Sequence, residues 1–412
     1  MSESVGIALP RARSRADDVA WRAVSRWLLR GVPIDLRDNG TPPTDGSTSQ
    51  VTLEIRQPAT YREVLKGGSV ALGRTYAAGW WEADDLVLAL RLLTRRLGLP
   101  SPARQRLLRL AGLLKGARRG PAEDKQRDRR QVRAHYDLGD EFFARFLDPT
   151  LTYSCAYFER AGMGLEEASV AKLDRICRLA ELEPGDSVAE IGTGWGSFAL
   201  HAATRYGCSV TTTTVSARQL GVARRRVAEQ GLDGRVTVLD LDYRDMRGQF
   251  DKVVSIEMIE AVGWRQLDAF LSACARLLRP GGLLVLQAIV IDDRLYELSK
   301  RQADFIKTDI FPGSCIPSVA ATLASARRTG ALRLVECHDI GLHYAETLAR
   351  WRERFGAERA SIAALGFDDA FLRLWDFYLA YCEAGFSERR ISDVQLVFEA
   401  PGARRRRGAP PQ

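Results

Sequence analysis

No stretch of the 412-residue chain approaches the roughly 18 uninterrupted apolar residues that would span a bilayer. The start, Met1 to Arg15, holds arginines but lacks the apolar core of a signal peptide. A soluble or peripheral protein is therefore expected. The seven cysteines (Cys155, Cys177, Cys208, Cys274, Cys315, Cys337, Cys382) form no CxxC pair, and no His/Cys cluster has zinc spacing. Neither a disulfide framework nor a metal site is expected, and a reducing cytoplasm fits.

Positive charge is present in excess: 60 Lys and Arg stand against 52 Asp and Glu, a formal net charge of +8. Such a surplus suits a phosphate-bearing partner, either nucleic acid or an anionic bilayer, without choosing between them. The chain exceeds the ~250–300 residues at which single cores stop growing, so two domains are expected.

Residues 1–115 read as a small mixed α+β domain with a lipid, membrane or dimer role. It has a basic amphipathic helix around Trp21 to Arg30 and short alternating segments at Val32–Leu36 and Val51–Ile55, separated by the loop 38–50. The pair Trp80-Trp81, ahead of helical spacing from Leu86 to Leu97, suits domain core or membrane contact. A charged stretch, 116–133, reads as an exposed linker. Residues 401–412 read as a basic disordered tail whose Arg404 to Arg407 add attraction for anionic lipid.

Between them, residues 134–400 alternate apolar runs with helical patterns. Strands are expected at Ser187–Ile191, Ser209–Val215, Val236–Leu241, Lys252–Ile256 and Leu283–Ile289, with helices near 197–206, 217–230 and 265–278. This is a doubly wound α/β pattern. An insertion from Asp292 to about Arg328 precedes late strands at Leu332–Cys337 and Val394–Glu399, which would close the sheet antiparallel. Ligands of such sheets bind at the carboxyl ends of the strands, beneath such an insertion.

Glu190-Ile-Gly-Thr-Gly-Trp-Gly196 follows a strand and opens a helix, where glycines let the backbone turn tightly and approach a ligand. A dinucleotide site is the rival reading. Against it, the spacing is GxGxG, and Thr211 to Ala217 carries no acid for a ribose. Arg279-Pro-Gly-Gly282 is a turn common in methyltransferase domains. S-adenosylmethionine has no pyrophosphate; its amino-acid portion would face the glycine turn, with Thr214, Ser216 and Gln219 near the ribose.

Further motifs are His135-Tyr136-Asp137, Leu151-Thr-Tyr-Ser-Cys-Ala-Tyr-Phe158, Asp242-Tyr-Arg-Asp245, Glu257-Met-Ile-Glu-Ala-Val-Gly263 and Asp304-Phe-Ile-Lys-Thr-Asp-Ile-Phe-Pro-Gly-Ser-Cys-Ile-Pro-Ser318. With the glycine motif they make residues 126–400 resemble the cyclopropane-fatty-acyl-phospholipid synthases and mycolic-acid methyltransferases, including relatives that form 10-methylene-stearate. Residues 60–90 resemble the amino-terminal domain of the same enzymes more weakly. The resemblance implies a class I methyltransferase fold. It places S-adenosylmethionine contacts at Tyr153, Ser154, Glu190, Gly192, Gly194, Gly196, Thr214, Ser216, Gln219, Asp242, Tyr243 and Ile256. It also implies a bicarbonate ion held by Cys155, Glu260, Gln287, Ile289 and Tyr344, with Cys382 at the active site.

The chemistry wants such a site. An isolated alkene is a poor nucleophile, and its attack on a sulfonium methyl leaves a carbocation that water would capture. The pocket must be dry, stabilise positive charge and offer a base for one proton. Plainer explanations exist: Cys155 and Cys382 suit small buried core residues, with Cys155 offering its backbone amide, and Tyr344 suits a capped core tyrosine. Glu260 lies on an apolar stretch where an unpaired carboxylate is costly, which favours function. Phe142, Phe143 and Phe146 suit core or an acyl tunnel, and 304–318 suits a lid.

Gln287 and Ala261 stand where many of the resembled enzymes have histidine, and an amide orients an ion without relaying protons. The expected product is a cyclopropane fatty acid. The alternative is a methylene branch, the precursor of tuberculostearic acid, which a separate reductase would complete. Expected partners are unsaturated phospholipid acyl chains at the anionic inner face of the membrane, with no nucleic acid and with room for a homodimer. A methyltransferase for small molecules or nucleic acids, and a catalytically silent lipid binder, are the rivals.

Overall fold

Seven strands assemble into one twisted sheet, in the spatial order Val236–Asp240, Ser209–Thr214, Ser187–Ile191, Phe250–Ile256, Leu278–Ile291, Ile391–Glu399, Arg333–Asp339. In the computed structural model, which describes residues 14–38, 49–98 and 138–402, these strands are β4 (Ser187–Ile191), β5 (Ser209–Thr214), β6 (Val236–Asp240), β7 (Phe250–Ile256), β8 (Leu278–Ile291), β9 (Arg333–Asp339) and β10 (Ile391–Glu399). Pairing is parallel from β6 to β8. β10 runs antiparallel to both β8 and β9, wedged between them. This is the doubly wound class I methyltransferase sheet with one late antiparallel strand.

The expected strand positions hold to within a few residues, with one informative exception. β8 begins at Leu278 and runs through Arg279-Pro-Gly-Gly282, which the sequence presented as a turn. A Cβ on Gly282 would lie 2.7 Å from the Asp251 carbonyl oxygen, so only glycine lets these strands approach so closely.

Three further strands, β1 (Ile34–Asp38), β2 (Val51–Ile55) and β3 (Trp81–Ala83), form a small separate sheet. Around it lie α1 (Arg15–Ala23), α2 (Ala59–Ala77) and α3 (Leu86–Leu97). The helix expected near Trp21 to Arg30 lies earlier, because Ser14 and Asp17 form a capping box, and it ends in a π-helical turn at Val24–Leu28. Trp81 is core: its indole donates to the Leu72 carbonyl, and 1 % of its surface is exposed.

The remaining helices are α4 (Asp140–Phe146), α5 (Leu165–Leu179), α6 (Ser197–Tyr206), α7 (Ala217–Glu229), α8 (Leu267–Leu277), α9 (Asp293–Ser299), α10 (Val319–Thr329), α11 (Gly341–Ala357), α12 (Arg359–Ala364) and α13 (Asp369–Ser387). Helices α5, α6 and α7 cover one face of the large sheet, while α8 and α10 cover the other. A third apolar cluster joins the amino-terminal segment to α4, α11 and α13 without a break. Residues 14–98 thus share a core with helices from the far end of the chain. Phe142, Phe143 and Phe146 sit there, fully buried among Trp375 and Phe355, and none of them lines the cavity described below. The expected linker at 116–133 and Arg404 to Arg407 lie outside the described residues.

Candidate active site

The sheet order reverses direction beside β4, and a cavity of about 930 Å³ opens at the carboxyl ends of β4, β5 and β7. That volume lies at the upper end of the ~300–1,000 Å³ usual for a single ligand pocket. One end is the glycine turn after β4. Gly192, Gly194 and Gly196 have φ of 100°, 53° and 90°, which glycine alone adopts without strain. A Cβ on Gly192 would meet Met258 Cγ at 3.1 Å, so bare backbone forms the wall.

Of the residues expected at the cofactor, Tyr153, Ser154, Glu190, Gly192, Gly194, Thr214, Gln219, Asp242, Tyr243 and Ile256 line this cavity. Two do not. Gly196 is the amino-terminal cap residue of α6 and backs onto Ala223. The Ser216 hydroxyl accepts from the Gln219 amide as the cap of α7. Thr214 Oγ1 donates to Gln219 Oε1 at 2.8 Å, and Asp242 is gripped by Arg244 at 2.7 Å. Glu190 Oε2 is buried without a hydrogen-bond partner, and burial raises its carboxyl to about 8. The ammonium group of the cofactor's amino-acid portion would supply the missing partner, so these residues fit S-adenosylmethionine.

Deeper in, Glu257 follows β7 with φ of 48°, a left-handed conformation that costs a glutamate ~1–3 kcal/mol and is tolerated where function requires it. Its Oε1 accepts from the Cys155 amide and from Gln287 Nε2, both at 2.8 Å. Its Oε2 accepts from the Tyr344 hydroxyl at 2.6 Å. The neighbouring Glu260 carboxylate instead accepts from the Ile289 amide, and its Oε2 has no partner.

This arrangement corrects the expected ion site. The amide of Cys155, the side chains of Gln287 and Tyr344, and the amide of Ile289 were the ligands implied for bicarbonate beside Glu260. All four donors are engaged by the chain's own carboxylates, three of them by Glu257. The residues present therefore do not fit a bicarbonate ion.

Two buried partners escaped the sequence reading. Lys172, on α5, is 1 % exposed and donates to Ser154 Oγ at 2.7 Å. Asp393, on β10, is fully buried and accepts from the same Gln287 nitrogen at 2.8 Å. Gln395 Nε2 in turn donates to Gln287 Oε1, and Arg175 donates to Gln395. Signals for both existed: a lysine at core spacing with Leu165, Ala168, Ser169 and Ile176, and an acid just ahead of an apolar strand.

The enclosed charges do not balance if every acid ionises. Burial, then the charge of Glu257, raises Glu260 to about 8. Burial, then the charges of Glu257 and Glu260, holds Asp393 far above the carboxylate range. Burial also raises Glu257, but Tyr344, the Cys155 amide, Lys172 and Gln287 all oppose that shift. Lys172 is itself lowered, first by burial, and the surrounding acids oppose that shift. Glu257 is thus the acid of this group best stabilised as an anion.

The Cys155 thiol is buried, does not reach the cavity, and is pushed well up by burial and then by Asp393. Cys382 does line the cavity, but burial holds its thiol neutral. Neither is an activated nucleophile. Tyr344 stacks on Phe386 at 4.4 Å, and Tyr378 bonds to the Tyr153 hydroxyl at 2.9 Å, so aromatic groups flank Glu257. In the insertion, Phe305 packs inward against Phe377, while Ile306 and Phe311 line the cavity. Among the described residues, no group of acids, histidines and cysteines is arranged to hold a metal ion.

A family model described as mycolic acid cyclopropane synthetase matches residues 123–396. The tuberculostearic acid methyltransferase UfaA1 of Mycobacterium tuberculosis is 38 % identical over 396 residues, covering 92 % of both chains. The cyclopropane-fatty-acyl-phospholipid synthase of Escherichia coli is 36 % identical over 384 residues, 92 % of this chain and 94 % of that one. The crystal structure of mycolic acid cyclopropane synthase CmaA1 complexed with SAH and CTAB superposes with a TM-score of 0.62 at 32 % identity. It covers 66 % of this chain and 98 % of that chain.

Proposed function

Since the chain belongs to the mycolic acid cyclopropane synthetase family of S-adenosylmethionine-dependent methyltransferases, we propose that it methylates the cis double bond of an unsaturated phospholipid acyl chain, with Glu257 as the base. The observation that carries this reading is one cavity joining the glycine turn to an apolar channel, with a carboxylate between them that three donors hold.

S-adenosylmethionine supplies an electrophilic methyl on a sulfonium sulfur, which keeps the electron pair of the bond that breaks. Ser154, Glu190, Gln219 and Asp242, which line the cavity beside the glycine turn, would hold it there. The alkene's π electrons form the new carbon–carbon bond, and the acyl chain becomes a carbocation. Ile289, Leu348 and Phe386 keep water away, while the faces of Tyr344 and Tyr378 stabilise the charge. Glu257 Oε takes one proton from the new methyl carbon, and Tyr344, the Cys155 amide and Gln287 aim it.

The released C–H pair has two destinations. After a hydride shift it forms an exocyclic methylene; without one it closes a cyclopropane. The likeness to a tuberculostearic acid methyltransferase favours the methylene branch. A separate reductase would then complete the methyl branch. The ring is the second reading, supported by the likeness to the E. coli synthase. The net charge of +8 supports presentation of the substrate at an anionic bilayer.

The test is mass spectrometry with methyl-labelled cofactor and dioleoyl-phosphatidylglycerol vesicles, with proton NMR of the product. Labelled lipid carrying an exocyclic methylene is expected. A cyclopropane transfers the assignment to the second reading, and absence of labelled lipid together with labelling of a tRNA or small molecule overturns both.

A further inference from the structure

The cavity's far wall belongs to the amino-terminal helices, which fall outside the family model's span of 123–396. Ala23, Leu65, Gly67, Gly68 and Leu97 all line it, and all five are exposed at the protein surface. The cavity therefore opens to the exterior between α1, α2 and α3. Helix α2 breaks there: Gly68 has φ 57° and ψ −134°, and a Cβ on it would meet nothing within 4 Å. The opposite lip is Gln302 and Ala303 of the insertion, tied to α2 by the Phe305 amide on Ser69 Oγ and by Arg74 on Asp309 at 2.8 Å.

Large apolar side chains are rarely left in water, and here their placement is selective. Among the described residues, Val19, Leu65, Leu97 and Leu342 are the exposed ones. Val19 is on α1, Leu65 on α2 and Leu97 on α3, and the latter two are each 49 % exposed on the mouth itself. Single exposed leucines need no explanation, but two on one mouth, with Val19 exposed one helical turn before the lining Ala23, do.

Cations share those faces. On α1, Val19, Arg22 and Ala23 fall at helical spacing on the exposed side, and Arg26 follows in the next turn. Lys66 follows Leu65 at the lip. Arg22, Arg26 and Lys66 carry no ion pair with another described residue. The nearby acids are occupied or recessed: Asp17 is buried, Glu63 pairs with Arg62, and Asp18 is half-buried.

We propose that this mouth is the membrane-docking face: Val19, Leu65 and Leu97 enter an anionic phospholipid bilayer, Arg22, Arg26 and Lys66 hold its phosphates, and an acyl chain passes between α1, α2 and α3 to Glu257. The route into the cavity rests on the lipid reading above. The docking itself rests on the exposed rim.

The test measures two quantities on the full chain. Sedimentation with dioleoyl-phosphatidylglycerol vesicles reads docking, and turnover on the same lipid dispersed in detergent reads the active site without a bilayer. The triple variant Arg22→Glu, Arg26→Glu, Lys66→Glu is expected to lose at least ten-fold in vesicle affinity and to keep dispersed-lipid turnover within two-fold. Val19→Asp is expected to weaken vesicle binding three-fold or more, again with dispersed turnover kept. Wild-type protein is expected to bind phosphatidylcholine vesicles at least ten-fold more weakly than phosphatidylglycerol.

Unchanged vesicle affinity in both variants, or equal binding to the two lipids, overturns the docking face. Equal loss of turnover on vesicles and dispersed lipid overturns it too, because the damage then lies in the active site. If wild-type protein binds anionic vesicles through this rim yet labels no lipid in either form, the docking face stands and the lipid-methylation reading falls.

Discussion

Tyr344 donates its hydroxyl to Glu257 Oε2 at 2.6 Å, across 87 residues of sequence and from the first turn of α11 to the end of β7. Glu257 itself is held in a left-handed backbone conformation, so the pair is positioned from both sides. A buried hydrogen bond to a charged acceptor is worth ~1.5–3 kcal/mol. Tyr344→Phe is therefore expected to lower kcat by about 10- to 100-fold, with the affinity for S-adenosylmethionine unchanged. Steady-state kinetics beside calorimetric titration of the cofactor checks this, and an unchanged kcat removes the role.

Glu257→Gln keeps the acceptor for Tyr344 while removing the base. The expected loss in kcat is roughly 10²- to 10⁴-fold, the usual contribution of a positioned general base. Because the chain's own carboxylates occupy the donors expected to hold bicarbonate, wild-type turnover is also expected to be the same in bicarbonate-free and bicarbonate-supplemented buffer. A strong bicarbonate dependence would return the proton to an exogenous ion.

Lys172→Met removes the cation that, among the described residues, lies within this buried group of acids, and Lys172 opposes the rise that burial imposes on the Glu257 carboxyl. The acidic limb of the rate profile, set by ionisation of Glu257, is expected to move to higher pH. Stability is expected to fall by roughly 3–5 kcal/mol, as when one partner of a buried pair is deleted. Kinetics from pH 6 to pH 9 and urea unfolding measure the two; a limb that stays in place shows that Lys172 is purely structural.

Glu260 binds its proton more tightly folded than unfolded, its carboxyl rising from 4.5 to about 8. The folded state therefore carries the extra proton between those values, so its contribution to stability is greatest below about 4.5 and is lost as pH rises towards 8. The slope is up to ~1.4 kcal/mol per pH unit. Glu190 acts in the same direction. Glu260→Gln is expected to flatten part of the decline in Tm between pH 6 and pH 9, and an equal decline in both proteins overturns this.

Gly73 lies where a Cβ would come within 2.5 Å of the Phe305 ring, which is itself packed on Phe377. Gly73→Val forces the insertion away from α2 and is expected to cost roughly 1–3 kcal/mol. Thermal unfolding reads that loss.

The large sheet was legible because its code is local. Ser187–Ile191 and Ser197–Tyr206 announce themselves by apolar run, glycine turn and helical spacing within a few residues. Ser216 shows the limit: residue type and place suggested a ribose contact, but its hydroxyl is used as a helix cap. The same limit applies to Phe142, Phe143 and Phe146, whose spacing fits core or tunnel equally well until their neighbours are known.

By itself, the sequence determined the family, the doubly wound fold and the glycine turn, since each is written in contiguous residues with periodic burial. It contained Glu257 and Glu260 three residues apart, yet offered no means of telling which one meets Gln287 and Tyr344. Only the tertiary structure decided that, because the donors come from α11, β8 and the loop before α5, and their convergence depends on the register of β7 against β8. The mouth formed by Ala23, Leu65 and Leu97 was decided in the same way: three helices distant in sequence leave their apolar rim uncovered only once they are packed around one cavity.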